Sequence, residues 1–298
     1  CRGSSFRLFC RKADSQYVQC ASCGIVFAQP RLTQVEAKHE AEYWARRHQA
    51  SRDKVSLDFS KQHFQIVHRP RLNALAGYRK LGRLLDVGCA TGSYLKAATE
   101  DGWDAFGVEI AEFSARYGIE EQGLNIFVGT LEEAKFPNSY FDAVTMWDVI
   151  EHLLDPASCL REVHRILRPG GVLALSTPNI RGLSHLILGH EWHAISPRAH
   201  FFLFVPSTLA ATLRNAGFRV TRLVTMDLDP PLLRALQGGC KLGTKTGDAH
   251  QIKVAVETSR ILRVLRWVAN IVLSTTGRGD KIVAHAFRTE RLDRDESV

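Results

Sequence analysis

Short apolar stretches alternate with helix-like stretches between residues 83 and 178, and this alternation constrains the fold more than any other feature of the sequence. The apolar stretches are short and bounded by turn residues, so they are typical of strands. Strands that are separated by helices pack as a mostly parallel sheet with both faces covered. We therefore expect an α/β, Rossmann-like fold. The strand-like segments are "RLLDVG", "DAFGVEI", "NIFVG", "FDAVTMWDV" and "VLALSTPN".

The composition is that of a globular protein, with 45% hydrophobic and 23% charged residues among 298. The formal net charge of +8 favours anionic partners, but the basic residues are spread along the chain, which is more typical of a solvated basic surface. The sequence shows no secretory signal and no apolar run long enough to span a bilayer. An odd count of seven cysteines argues against a disulfide framework, so we expect a cytoplasmic protein.

Two glycines, Gly88 and Gly92, lie where the first strand ends and a helix begins. Ligands bind at this edge of an open α/β sheet, and glycines there allow a close approach to the backbone. The simpler alternative is that both glycines only form a tight strand–helix turn. Two observations argue against a dinucleotide. The spacing is Gly-x-x-x-Gly, and Asp86 precedes the turn, where a carboxylate repels a pyrophosphate and attracts a cation.

A second carboxylate, Glu109, ends the second strand 23 residues after Asp86. An acidic side chain at this position accepts hydrogen bonds from ribose hydroxyls. The two acids together indicate a ligand with a ribose, a positive end and no phosphate. S-adenosylmethionine, with its adenosine, sulfonium and ammonium groups, has this chemistry.

The ordered set of motifs over residues 83–290 resembles the class I S-adenosylmethionine-dependent methyltransferases, in particular the small-molecule group that includes the ubiquinone-pathway O-methyltransferases. The set comprises the glycine turn with Asp86, then Glu109, "FDAVTMWDVIEH", and a helix that closes on "RPGG" before "VLALSTPN". The resemblance implies a seven-stranded sheet. In such a sheet the last strand, here "KIVAHAF", runs antiparallel between the fifth and sixth strands.

The resemblance also implies which residues hold the cofactor. The methionine part would lie against the glycine turn, at Asp86, Gly88, Cys89, Ala90 and Gly92. The adenosine would contact Glu109 at the ribose and Ile110, Thr130 and Leu131 around the adenine. Many relatives carry an aspartate near the adenine edge, whereas this chain has Gly129-Thr130-Leu131-Glu132. The floor beneath the sulfonium would be formed by Trp147, Asp148 and Val149.

An oxygen nucleophile needs a base, which is often a histidine. His200, in "PRAHFFLF" after the fifth strand, is our first candidate for a base or substrate orienter, and His193 and then His190 follow it. His152 follows Glu151 just after the fourth strand. In some ubiquinone-pathway relatives such a Glu–His pair helps to hold a divalent metal, but a loop-orienting role is the simpler interpretation. The nearby aromatic residues either wall an apolar acceptor or belong to the core; they are Trp192, Phe201, Phe202 and Phe204.

Residues 1–30 read as a small β-rich module around a "CASCG" turn, in which Cys20 and Cys23 have the spacing of a zinc knuckle. The segment resembles the N-terminal zinc ribbons that are fused to some methyltransferases. This implies a structural zinc held by Cys1, Cys20 and Cys23, with Cys10 as an off-pattern fourth ligand. A reduced, metal-free module is the alternative. The remaining cysteines, Cys89, Cys159 and Cys240, read as ordinary thiols.

We expect four segments: the zinc-ribbon-like module at 1–30, a helical cap at 31–80, the methyltransferase domain at 81–290 and a charged tail at 291–298. The helix-like stretch 254–273 mixes arginines with Trp267 and an apolar surface. That mixture is typical of an interfacial helix on acidic lipid. We favour the simpler interpretation that it covers the sheet, with arginine stems lying along apolar surface.

The sequence thus predicts methyl transfer from S-adenosylmethionine to a small-molecule acceptor, most simply at an oxygen of a sugar, a lipid-linked glycan precursor or a quinone-like compound. An RNA methyltransferase is the first alternative, which the net charge and the cysteine module support. Against it, the chain has no aromatic–basic RNA-binding motif. A nucleotide-cofactor oxidoreductase and a non-catalytic scaffold also stay open as functions.

Overall fold

The computed structural model of the chain describes residues 3–12, 14–52, 67–228 and 260–289. The strands are β1 (Phe6–Lys12), β2 (Ser15–Cys20), β3 (Val26–Gln29), β4 (Arg83–Val87), β5 (Asp104–Glu109), β6 (Ile126–Val128), β7 (Phe141–Trp147), β8 (Leu167–Pro178), β9 (Phe202–Leu203), β10 (Phe218–Met226) and β11 (Lys281–Arg288). The helices are α1 (Gln34–Arg52), α2 (Arg69–Leu75), α3 (Ser93–Glu100), α4 (Glu112–Gln122), α5 (Pro156–Ile166), α6 (Leu183–Leu188), α7 (Pro206–Asn215) and α8 (Arg260–Thr276). Cys1, Cys240, residues 254–259 and the tail at 291–298 lie outside the described residues.

Seven strands form the central sheet in the order β10-β11-β8-β7-β4-β5-β6. The strands from β8 to β6 pair in parallel, and β11 runs antiparallel to both β8 and β10. The expected fold is therefore confirmed, including the place of "KIVAHAF" between the fifth and sixth strands. Because the parallel strands end at one edge, Asp86, Glu109 and Trp147 lie along the same side of the sheet.

Helix α5 shows how local sequence sets these elements. Asp155 caps its first turn by accepting hydrogen bonds from the backbone N–H groups of Ala157 (3.1 Å) and Ser158 (3.0 Å). Its apolar residues Leu160, Val163 and Ile166 are fully buried in the core that includes the sheet. The helix ends at Ile166 and β8 begins with the next residue, so the "RPGG" segment belongs to the start of the strand.

Strands β1, β2 and β3 form an antiparallel sheet with β9, in the order β1-β2-β3-β9. The fourth strand, β9, comes from the segment that follows β8, and Phe27 of β3 pairs with Phe202 of β9. The backbone N–H of Ala28 also donates to the carbonyl of Phe201 (2.9 Å). This small sheet is therefore continuous with the segment that carries His200.

Candidate active site

The turn between β4 and α3 has the left-handed backbone that its glycines allow. The φ angles are +68° at Gly88, +50° at Ala90 and +81° at Gly92. A Cβ atom on Gly88 would lie 2.6 Å from Cγ2 of Val149, and one on Gly92 would overlap the side chain of Leu124. Conformation and packing therefore explain both glycines. A non-glycine residue in this conformation, Ala90, lies between them, and such strain is frequent at functional sites.

Glu109 lies at the carboxyl end of β5 and ties this strand to the glycine turn. One carboxylate oxygen accepts a hydrogen bond from the backbone N–H of Ala90 and the other from that of Ala111, both at 2.8 Å. The side chain is buried, and burial raises its pKa above the ordinary value. Each carboxylate oxygen has a second lone pair, so the group can still accept hydrogen bonds from a diol.

Asp86 lies one strand away, at the end of β4, and is fully enclosed. The hydroxyl of Thr145 donates a 2.6 Å hydrogen bond to its Oδ1. Burial raises the pKa of Asp86 to about 7, against the opposing effects of Thr145 and the positive charge of Arg71. A carboxyl group in this state gains most from a neighbouring cation, which would stabilise its ionised form.

Arg71 of α2 brings a positive charge into the same cleft, and no motif in the sequence marks it. Its guanidinium carbon lies 4.1 Å from the centroid of the Trp147 ring. Burial lowers its pKa, and the charges of Asp148 and Asp86 act in the opposite direction. The ring of Trp147 thus already faces a cation, as the floor beneath a sulfonium would.

Asp148, expected on the floor of the cleft, follows Trp147 at the carboxyl end of β7 and has a φ of +58°. Its carboxylate accepts hydrogen bonds from Lys281 Nζ (2.6 Å) and Ser176 Oγ (2.9 Å). Although burial opposes ionisation, the ion pair with Lys281 holds the pKa of Asp148 below its usual range. Asp148 is therefore an ionised carboxylate beside Trp147.

The residues expected around the adenine lie after the ends of β5 and β6. Thr130 and Glu133 form a reciprocal pair, in which the backbone N–H of Thr130 donates to the Glu133 carboxylate (2.7 Å) and that of Glu133 to the Thr130 hydroxyl (3.3 Å). Leu131 is buried in the core, and Ile110 is half-buried at the end of β5. Cys89 is also buried, and burial raises its pKa, so it is an apolar wall rather than a nucleophile.

Three side chains converge beyond Asp148: Glu151, His152 and His200. One potential ligand atom from each lies within 4.8 Å of the other two, and this is the one such group among the residues described. The Nδ1 atom of His152 contacts the carbonyl of Ala199 (2.7 Å), and that of His200 contacts the carbonyl of Ala194 (2.8 Å). Because a carbonyl only accepts, both Nδ1 atoms carry the hydrogen, and each Nε2 has a free lone pair.

The third member, Glu151, is fully buried. Its Oε2 accepts a hydrogen bond from Thr177 (2.9 Å), and its Oε1 has no hydrogen-bond partner. Burial, together with the negative charge of Asp148, raises the pKa of Glu151 above its usual range. Burial, together with the nearby His152, lowers the pKa of His200 to about 3. The ring of His152 is accessible, yet protein surrounds it on most sides and lowers its pKa.

Because the pKa values of both histidines are lowered and that of Glu151 is raised, two neutral imidazoles lie beside a carboxyl group that loses its proton only at higher pH than usual. A bound hydroxyl has one proton, and either of these nitrogens or the carboxylate oxygen can accept it. The same donor set, with both other ring nitrogens donating to carbonyls, also suits a divalent transition metal. The sequence identified His152 and His200 separately, but not that they meet.

The other candidate histidines lie outside this group. His193 is exposed, although its charge is close enough to lower the pKa of His200. His190 packs against Phe9 of β1, with ring centroids 6.3 Å apart. The aromatic residues around them are buried, as the core interpretation predicted; they are Trp192, Phe201, Phe202 and Phe204.

The cysteine turn has a geometry that favours a thiolate. The backbone N–H groups of Cys23 and Ser22 donate to the sulfur of Cys20 and lower its pKa. Ala21 donates to the carbonyl of Ser5 (3.0 Å), so the chain leading back toward Cys1 passes beside the turn. Cys10 lies away from the turn. It pairs with Tyr17, whereas Cys20 pairs with Phe6, and Phe6 and Cys10 are about 13 Å apart along β1. Cys10 as a fourth ligand is therefore wrong.

Comparison with known proteins agrees with this geometry. A family model described as a methyltransferase domain matches residues 59–223, more than half of the chain. The ubiquinone biosynthesis O-methyltransferase of Bordetella avium is 34% identical over 173 residues, which is 53% of this chain and 71% of that protein. That of Pseudomonas aeruginosa is 31% identical over 160 residues, 50% of this chain and 69% of its own.

Solved structures show the same fold at lower identity. The SAM-dependent methyltransferase of Archaeoglobus fulgidus is 22% identical with a TM-score of 0.51, over 76% of this chain and 94% of its own. One from Thermotoga maritima is 18% identical with a TM-score of 0.53, over 85% of this chain and all of its own. From the family match, the sheet order and the acidic cleft, the chain belongs to the methyltransferase-domain family and is an S-adenosylmethionine-dependent methyltransferase.

Proposed function

We propose that the protein methylates a hydroxyl group of a small molecule, and that Glu151, His152 and His200 form the acceptor side of its active site. The observation that carries this proposal is the convergence of three side chains next to Asp148, where one potential ligand atom from each lies within 4.8 Å of the other two. Asp148 links the two regions, because it follows Trp147 in the floor and its charge acts on all three members of the group.

The residues of the cleft fit S-adenosylmethionine as the sequence suggested. Glu109 offers two carboxylate oxygens to the ribose hydroxyls. Asp86 and the ring of Trp147 favour positive charge, and Arg71 is placed to pair with the carboxylate of the methionine part. S-adenosylmethionine supplies, when bound, a methyl group on a sulfonium that becomes a neutral thioether on transfer.

The chain's own part in the reaction is to orient the acceptor and to remove its proton. Since both rings are neutral, Nε2 of His152 or of His200 can accept a hydrogen bond from a second hydroxyl of the acceptor, such as the neighbouring hydroxyl of a catechol. Glu151 takes the hydroxyl proton at Oε1 as the oxygen forms its bond to the methyl carbon, and the electron pair of the broken C–S bond stays on sulfur. Burial of Glu151 keeps bulk water away from the proposed proton acceptor.

The acceptor class follows from the relatives and from the site together. Both curated relatives are named for O-methylation in ubiquinone biosynthesis. A phenolic hydroxyl suits this group of side chains, because its proton is acidic enough to pass to a carboxylate of raised pKa. A phenol or catechol is therefore the acceptor that we propose in preference to a sugar.

The proposal is tested by S-adenosylhomocysteine formation with S-adenosylmethionine and a panel of phenols, catechols and sugars. Glu151→Gln removes the proposed proton acceptor and is expected to lower kcat by about 100-fold or more. The matched control is Glu191→Gln, at an exposed carboxylate in the segment between β8 and β9 that also carries His200. Equal rates in the two variants would contradict a role for the group.

Two further experiments distinguish this mechanism from a metal-dependent one and from RNA methylation. A chelator that abolishes activity, with recovery on adding a divalent cation, would assign Glu151, His152 and His200 to a metal instead of a proton. Methyl transfer to RNA, with binding that weakens steeply as salt rises, would favour the RNA methyltransferase.

A further inference from the structure

Helix α8 carries an outward stripe of large apolar side chains. Its members recur at helical spacing, so they share one face, and each is between 45% and 65% exposed. They are Val264, Trp267, Val268, Ile271 and Val272. Among the described residues no helix is both long and apolar enough to cross a bilayer.

The opposite side of α8 packs on the edge of the central sheet and forms hydrogen bonds with it. Leu273 is buried, and its carbonyl accepts a 2.8 Å hydrogen bond from Thr225 of β10. Asn270 accepts a 2.7 Å hydrogen bond from the backbone N–H of Asp227. The helix thus covers the sheet as the sequence suggested, but this packing does not use the apolar stripe. A contiguous exposed apolar face of this kind marks an interaction surface.

Two more exposed apolar residues lie on α6, which is tied to the chain that follows α8. Leu183 donates to the carbonyl of Arg278 (2.9 Å), and Ser184 donates to Asp280 (2.6 Å). Leu186 and Ile187 of this helix are 63% and 50% exposed. The start of α6, the helix that carries these two exposed residues, therefore contacts the chain that follows α8.

The charge of this surface indicates what covers it. The sequence of α8 contains three arginines and no acidic residue. Arg181 is exposed beside α6, and Arg278 donates to its carbonyl (3.2 Å). A second copy of the chain would bring a helix of the same positive charge against α8, which like-charge repulsion disfavours. An anionic partner with an apolar interior complements both features.

We propose that the outward face of α8, with Leu186 and Ile187 of α6, docks on a bilayer surface that contains anionic lipid. Apolar residues around a central tryptophan, combined with arginines, are the composition of helices that lie in the membrane interface. Helix α8 ends five residues before Lys281, which pairs with Asp148 on the floor of the cleft. Docking would therefore hold the Asp148 side of the cleft near the bilayer surface, where an acceptor dissolved in the bilayer could enter.

Co-sedimentation of the full chain with vesicles tests the docking. Vesicles of phosphatidylglycerol and phosphatidylcholine in equal parts are expected to bind about tenfold more tightly than phosphatidylcholine alone, and salt should weaken the binding. Val264→Glu is expected to reduce binding to the anionic vesicles by about tenfold or more. The matched control, Val35→Glu, makes the same change at an equally exposed valine of α1 and should leave binding unchanged.

Tryptophan fluorescence gives an independent reading of the same contact. Vesicles should shift the emission to shorter wavelength and protect Trp267 from iodide, and both effects should disappear in Trp267→Phe. Trp267 shielded from iodide before vesicles are added would mean that another part of the chain covers the stripe, which overturns the proposal.

Three other results would also overturn it: no preference for anionic vesicles, equal loss of binding in Val264→Glu and Val35→Glu, or a dimer in sedimentation velocity that Val264→Glu dissociates. Affinity for S-adenosylhomocysteine shows in each variant that the fold is intact. Because vesicle binding needs no acceptor, its failure is distinguishable from failure of the proposed methyl transfer, on which the docking does not depend.

Discussion

Replacing Asp86 by asparagine should make the folded protein more stable and, at the same time, a poorer cofactor binder. Asparagine has nearly the same shape and keeps an oxygen that can accept the hydrogen bond from Thr145. It removes a carboxyl group whose ionisation is opposed by complete burial. Because ionised Asp86 lowers the stability of the fold and lies at the end of a strand that borders the cleft, we infer that it serves cofactor binding and not stability.

The magnitude follows from the shift in pKa from 3.8 to about 7. Each unit corresponds to about 1.4 kcal/mol, so ionised Asp86 costs the folded state about 4 kcal/mol at most. Because the folded pKa is the higher one, the cost is absent below pH 4 or so and grows as pH rises toward 7. The advantage of Asp86→Asn should therefore increase by roughly 3 kcal/mol between pH 5 and pH 8. Burying the asparagine amide lowers the stability of the variant by an amount that does not vary with pH.

Guanidinium unfolding at a series of pH values measures this difference directly. Asp104→Asn, at an exposed carboxylate of β5, is the control, and its stability should stay parallel to that of the unsubstituted chain. Calorimetry supplies the functional half: Asp86→Asn should lose more affinity for S-adenosylmethionine than for S-adenosylhomocysteine, which lacks the sulfonium charge. A stability difference that is constant from pH 5 to pH 8, or equal losses for both ligands, would refute the reasoning.

Three further predictions concern Glu109, Glu151 and the cysteine module. Glu109→Ala should weaken S-adenosylhomocysteine binding at least tenfold, about 1.4 kcal/mol, because charge-assisted hydrogen bonds to the ribose are lost, whereas exposed Glu121→Ala should not; calorimetry decides. Since the pKa of Glu151 is raised, its base form accumulates only as pH rises, so kcat/KM should increase from neutral to mildly alkaline pH, and Glu151→Gln should flatten that profile. We also propose that Cys20, Cys23 and Cys1 hold zinc: Cys20→Ser should lower the zinc content measured by mass spectrometry, and Cys10→Ser should not.

The central sheet could be predicted from the sequence because its signals are local. Each parallel strand is a short apolar run, and its last residues carry the chemistry that defines the cleft. Asp86, Glu109 and Asp148 were placed at the right edge for this reason. The position of β11 depends on pairing between distant segments, and the resemblance to methyltransferases supplied it.

The parts that were missed depend on contacts between segments far apart in the chain. Arg71 lies 76 residues before Trp147, and its role appears only where its guanidinium meets that ring. His152 and His200 were candidates separately, but no local pattern shows that a loop after β7 meets one after β8. The pairing of β3 with β9 involves two residues of β9, too few to give a strand signal.

The small N-terminal sheet and the acceptor side of the site are one structural unit. Tyr17 of β2 is fully buried, and its hydroxyl donates a 2.6 Å hydrogen bond to the carbonyl of His200. The next residue, Phe201, donates to the carbonyl of Glu151 (2.7 Å), while its own carbonyl accepts from Ala28 of β3. His200 is thus held from one side by the loop that carries Glu151 and from the other by β2 and β3. The β-strands at the start of the chain therefore determine where the neutral imidazole of His200 lies relative to Glu151, the proposed proton acceptor.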